Sequence, residues 1–146
     1  MKARIPICIA AVCVLMLITG CFRTIFPPLP PSVNYYVTPD EIVSEFRDDK
    51  FAATAKYDGK TISVSGYVSN KDIGDSGNPF VGLKEEPHSD VMKGVVCVFP
   101  RSALSELTPI EDGEYLTIIG EFDQYGVQSV WILPMYIVQL KNCRFP

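Results

Sequence analysis

The chain has 146 residues, 47% apolar and 21% charged, with 13 basic and 17 acidic residues and net charge −4. That profile excludes a disordered polymer and leaves room for one folded domain. Setting residues 1–20 aside removes Lys2 and Arg4 and leaves 11 basic against 17 acidic residues, net −6, which argues against nucleic acid as the main partner.

The N-terminus carries Lys2 and Arg4, then an apolar run from Ile5 to Ile18, then Thr19-Gly20-Cys21. A positive head, an apolar stretch of about 14 residues and small closing residues make an export signal, and the run is short for a bilayer span of about 20 residues. Ile18-Thr19-Gly20-Cys21 resembles the bacterial lipobox. The resemblance implies cleavage before Cys21, acylation of that cysteine (palmitate-type chains) and anchoring in a membrane. With Phe22 in place of Asp after the cysteine, it also implies the outer membrane, facing the periplasm. Pro27-Pro28-Leu29-Pro30-Pro31 then favours extended polyproline II geometry, a semi-rigid spacer of roughly 3.1 Å per residue. The expected organisation is a signal peptide over 1–20, a lipidated proline-rich tether over 21–37 and a folded domain over 38–146.

Thr38-Pro39-Asp40-Glu41 reads as a helix start, with Thr38 as cap, Pro39 at the first position and Glu41 completing a capping box. Ile42, Val43 and Phe46 give that short helix one apolar face, and a weaker helical or irregular stretch follows over Phe51–Tyr57. From Lys60 the period changes to two: Ile62, Val64, Gly66 and Val68 alternate with more polar residues, as in a half-buried strand. Further strands are expected over Pro79–Lys84, Gly94–Phe99, Glu114–Phe122 and Ser129–Leu140, with a short helix over Arg101–Leu107.

One pattern occurs twice. Asp58-Gly59 followed by Ile62, Val64 and Gly66 aligns with Asp112-Gly113 followed by Leu116, Ile118 and Gly120. A glycine inside a strand weakens it unless a bend or close backbone approach requires it, and small barrels need such bends. The expected fold is therefore all-β with short helices: a five-stranded OB-fold-like β-barrel preceded by a short N-terminal helix.

On Tyr57-Asp58-Gly59-Lys60 entering Val64-Ser65-Gly66-Tyr67-Val68, on Val96-Cys97-Val98-Phe99, on Gly113 leading to Ile119-Gly120 and on Cys143, the stretch from about Thr38 to Cys143 resembles the tRNA-anticodon-like OB-fold family of bacterial lipoproteins. That family's name reflects likeness to nucleic-acid-binding barrels, and fold alone does not transfer function. OB barrels bind ligands on the face of their second and third strands. Here that face is expected to involve Phe80, Leu83, the 71–78 loop and Tyr125 in the last hairpin.

Cys8 and Cys13 fall in the leader, so the folded part keeps only Cys97 and Cys143. Two cysteines in an exported domain suggest a disulfide, the alternative being buried thiols that never meet. In an OB barrel the third and fifth strands are neighbours, which would bring Cys97 and Cys143 within range of each other.

No catalytic constellation is visible. His88 is the single histidine, without a second imidazole or paired thiols at ligand spacing, and is read as a solvated loop residue. Asp72–Asn78 lacks the spacing of a calcium loop and reads as a hairpin turn, and Ser102 and Ser105 lack a nucleophile elbow. No metal, cofactor or enzymatic activity is expected. The reading is a membrane-anchored envelope lipoprotein with a non-catalytic binding or interaction module for an envelope protein or small ligand. The alternative is a barrel that binds single-stranded nucleic acid.

Overall fold

The computed structural model describes residues 32–88, 93–130 and 133–146. The leader, Cys21 and the proline cluster lie outside the described residues. The folded unit spans Pro31–Pro146 and is mostly β-sheet with a few short helices.

In chain order it contains β1 (Tyr35–Val37), α1 (Pro39–Asp48), α2 (Lys50–Tyr57), β2 (Thr61–Ile73), β3 (Pro79–Lys84) and β4 (Lys93–Val98). A 3-10 turn at Arg101–Ala103 then leads into α3 (Leu104–Leu107), followed by β5 (Tyr115–Val130) and β6 (Leu133–Arg144). The strands pair in the order β1-β2-β3-β4-β6-β5, and β5 also pairs with β2, so the five longer strands form a ring of pairings. Neighbours run antiparallel except β4 with β6 and β1 with β2.

Six strands thus replace the expected five. The extra one, β1, lies where the tether was expected to end: Tyr35 pairs with Ile62 and Val37 with Val64, and both side chains pack on the core while Tyr36 stays exposed. Asn34 fastens its start, donating its N–H to the Thr61 carbonyl (2.8 Å) and accepting the Thr61 N–H through Oδ1 (2.9 Å). A three-residue strand is too short to show an alternation in sequence. The strand β5 runs to Val130 because a bulge between Phe122 and Gln124 absorbs the polar interruption at Asp123-Gln124, and β6 accordingly starts at Leu133.

The helices begin as their caps dictate. Thr38 Oγ1 accepts the Glu41 N–H at 3.4 Å while the Glu41 carboxylate accepts the Thr38 N–H at 2.8 Å, and Asp49 Oδ1 accepts the Ala52 N–H at 3.0 Å for α2. Lys56 bridges α2 to α1 through Glu45 at 2.7 Å. The buried face of α1 presents Ile42, Val43 and Phe46 to β2, β3, β4 and β6. Phe46 stacks on Phe122 (5.2 Å between centroids), Tyr125 (4.9 Å) and Tyr57 (5.8 Å), so one aromatic side chain ties both helices to β5. The rest of the core is aliphatic, from Ile62, Val64 and Val68 on β2 to Val138 and Leu140 on β6.

Candidate functional site: a groove on the outer face of β3, β4 and β6

Alternation along three adjacent strands builds the site. On β4, Val95 and Cys97 turn inward, leaving Val96 and Val98 on the outer face. On β3, Val81 and Leu83 are fully buried, whereas Phe80 and Lys84 are partly accessible. Across the ladders, Phe80 pairs with Val98, Gly82 with Val96, Gly94 with Ile137, and Val96 with Gln139. The result is a groove of about 630 Å³. Val96 and the two glycines form its floor, Phe80 and the 74–78 turn one wall, and Met135, Ile137 and Gln139 the other.

Polar groups at its rim are held in place. Gln139 donates to Asp123 at 2.9 Å and accepts from Gln124 at 3.3 Å. A bulge in β2 between Val68 and Asn70 lays Ser69 and Asn70 over Gly82, where any Cβ would overlap Asn70 Oδ1. The 74–78 turn closes on itself, Gly74 donating to the Asn78 carbonyl at 2.9 Å and Gly77 to the Gly74 carbonyl at 2.8 Å, as the hairpin reading required. Lys84 reaches the Pro87 carbonyl (2.5 Å), Lys93 pairs with Asp40 (2.8 Å), and the Arg101 guanidinium lies against Gly77. Asp75 is the one acid among the residues lining this groove, so its immediate surroundings are more basic than the acidic chain as a whole.

The expected binding-face residues separate. Phe80 lines the groove. Leu83 is also among the residues lining the groove, but it is fully buried, and positions three apart on one strand point to opposite faces, so its side chain turns to the core. Tyr125 does not line the groove: it packs on Phe46, with Lys50 Nζ 6.0 Å from its ring centroid, and burial pushes its phenol pKa up. It lies in the last hairpin, on β5 opposite Val138 of β6. His88 is exposed in the loop after β3. The groove residues missed from sequence were Val96, Ile137 and Gln139. Their signal was present on β4: a strand apolar on both faces announces that its outer face is covered or used.

Cys97 and Cys143 are both buried and stand as two free thiols, so the expected bridge is not a bond in this structure. The Cys97 pKa lies well above its ordinary value, raised first by a hydrogen bond with the Cys143 thiol and then by burial. No helix among the described residues is long and apolar enough to cross a membrane.

A ring of five strands, an amphipathic helix packed across it and a groove on the outer face of the second and third ring strands together define an OB-like domain. The chain belongs to the tRNA_anti-like family, whose model matches residues 1–134. Among solved structures it is similar to a Klebsiella pneumoniae subsp. pneumoniae MGH 78578 protein provisionally named a nucleic acid-binding lipoprotein. The two are 20% identical over 78% of this chain and 92% of that one, with a TM-score of 0.56. It is also similar to the asparaginyl-tRNA synthetase of Entamoeba histolytica (15% identity, 80% of this chain and 24% of that one, TM-score 0.45). A provisionally named aspartyl-tRNA synthetase of Leishmania major Friedlin gives 8% identity over 93% of this chain and 26% of that one, with a TM-score of 0.44. The chain therefore spans about a quarter of each synthetase. No curated protein matches the sequence.

Proposed function

We propose that the protein is a non-catalytic binding module, an OB-type barrel tethered to the cell envelope through lipidated Cys21, whose ligand seat is the groove over β3, β4 and β6. The observation that carries this reading is the groove itself: about 630 Å³ of outward-facing space, apolar on its floor, with hydrogen-bonded amides and lysines at its rim. A photoreactive residue at Val96 in the full-length chain, irradiated in intact cells, is expected to trap a discrete species that the same residue at the exposed Ala55 does not. Identical products from the two positions would overturn the groove as the seat. The anchor is tested separately by intact mass of membrane-extracted protein. A chain starting at Cys21 plus acyl groups is expected, and an unmodified chain retaining Met1 would overturn it.

A second reading, single-stranded nucleic acid in the same groove, is favoured by Lys84, Lys93 and Arg101 around Phe80 and by the name of the Klebsiella protein. Stacking on one aromatic ring contributes about 1–3 kcal/mol per base. Anisotropy of a labelled oligonucleotide at physiological salt should then weaken roughly 5- to 100-fold in Phe80→Ala. No binding by the unaltered protein would remove this reading.

A further inference from the structure

We propose that Cys97 and Cys143 are the two halves of a disulfide that forms as the end of β6 closes onto the sheet, making the C-terminal strand an oxidatively locked element. The inference rests on how the backbone departs from regularity to bring these two side chains together. Along β6, Val138 and Leu140 point inward, so strict alternation would place residue 142 inside and residue 143 outside. The reverse is found: Asn142 is exposed and Cys143 is buried.

Two local features produce the reversal. Asn142 takes a φ of +52°, the one non-glycine residue in the left-handed region among those described. The ladder between β5 and β6 shifts register at the same place, between Ile119 and Glu121. A left-handed residue beside a register shift is strain concentrated at one point, of the kind that persists where it sets a functional geometry. Its product is the position of one sulfur atom.

Residue 120 makes room for that atom. A Cβ on Gly120 would stand 2.6 Å from Cys143 Sγ, so the sulfur fills the volume a side chain there would need. Cys97 faces the same core from β4, fully buried, on a strand that runs parallel to β6 with Cys97 opposite the inward Leu140. Strand, bulge and glycine bring two buried sulfurs to one region of the core, and the upward push of the Cys143 thiol on the Cys97 pKa agrees with that placement.

The oxidant is a protein or small-molecule disulfide. One cysteine thiolate attacks it and forms a mixed disulfide, expelling the oxidant's first thiol. The second cysteine thiolate then attacks the sulfur of the first, expelling the oxidant's second thiol, so two electrons and two protons pass from the pair to the oxidant. Complete burial of both sulfurs makes the folded dithiol a poor nucleophile, which places the reaction before β6 finishes docking.

The test uses full-length protein isolated from membranes, denatured in excess iodoacetamide without reductant and digested. The expected result is a linked peptide pair joining Cys97 and Cys143, lighter than the two separate peptides by two hydrogens, with neither cysteine alkylated. Alkylation of both cysteines would overturn the proposal. Reduction under denaturing conditions followed by refolding is expected to lower the Tm by about 10 °C for the natural chain and to leave Cys97→Ser unmoved. An equal response from both would also overturn it.

Discussion

Gly66 stands opposite Leu116 in the ladder between β2 and β5, and four residues away the relation returns with roles exchanged, Gly120 opposite Ile62. The ladder's outer hydrogen bonds follow the same exchange: Val68 donates to the Glu114 carbonyl at 2.8 Å, and Phe122 donates to the Lys60 carbonyl at 3.1 Å. Each strand is entered through a turn glycine with positive φ, +64° at Gly59 and +84° at Gly113. The pattern that occurs twice in the sequence is therefore a local two-fold in space, each copy pairing with the other.

Both strand glycines are close-approach positions. A Cβ at Gly66 would lie 2.8 Å from the Lys84 carbonyl oxygen, and one at Gly120 would meet Cys143 Sγ, Leu140 Cβ (3.1 Å) and the Lys141 carbonyl oxygen (3.2 Å). Gly66→Ala and Gly120→Ala should each destabilise the domain by about 1–3 kcal/mol, read as a fall in the urea midpoint. Gly126→Ala, with open space around it and no positive φ, should stay within about 0.5 kcal/mol of the natural chain.

The two β3 residues first grouped as one binding face should behave oppositely. Leu83→Ala removes a fully buried side chain and is expected to lose about 2–5 kcal/mol of stability. Phe80→Ala, at the groove wall, should lose clearly less while abolishing whatever crosslink forms at Val96. Chemical denaturation and crosslinking on the same samples separate the two effects.

The caps give a third test. Thr38→Ala removes the side-chain acceptor of the Glu41 N–H at the start of α1 and leaves the backbone N–H bond to the Glu41 carboxylate, and Asp49→Ala removes the side-chain bond to Ala52. Each should lower stability by about 1 kcal/mol in thermal or chemical unfolding.

Tyr57 links stability to pH. Burial raises its phenol above the ordinary 10.0, with the Lys56 ammonium pulling part of the way back. A phenol that must stay protonated in the fold contributes stability fully below about pH 10 and loses it as pH climbs through the raised value. Its hydroxyl has no hydrogen-bond partner among the described residues, so Tyr57→Phe should change stability by less than about 1 kcal/mol at neutral pH. The same variant should flatten the alkaline decline, measured as urea midpoints at about pH 7 and about pH 11.

Much of this domain was legible because local signals and fold agreed. The capping box at Thr38, the inward Ile62-Val64-Val68 alternation and the paired glycine pattern each fixed an element that the structure contains. What was missed depended on non-local geometry. Strand β1 exists through its pairing with Ile62–Val64, and the full length of β5 depends on a bulge that a two-residue period cannot register. The groove was half legible: Phe80 and Leu83 both line it, while the parity of their strand already turned the Leu83 side chain toward the core.

Strand β1 has a consequence for how this domain can be cut. It occupies the edge of β2 at Ile62–Val64, on the side away from β5. A chain begun at Thr38, where the helix cap starts, would expose an unpaired edge beside buried aliphatic residues, a template for another copy to add a strand. Retaining Asn34–Val37 keeps that edge covered. The short segment before the helix cap is thus the domain's guard against self-association, and an excised form of the domain should begin before it.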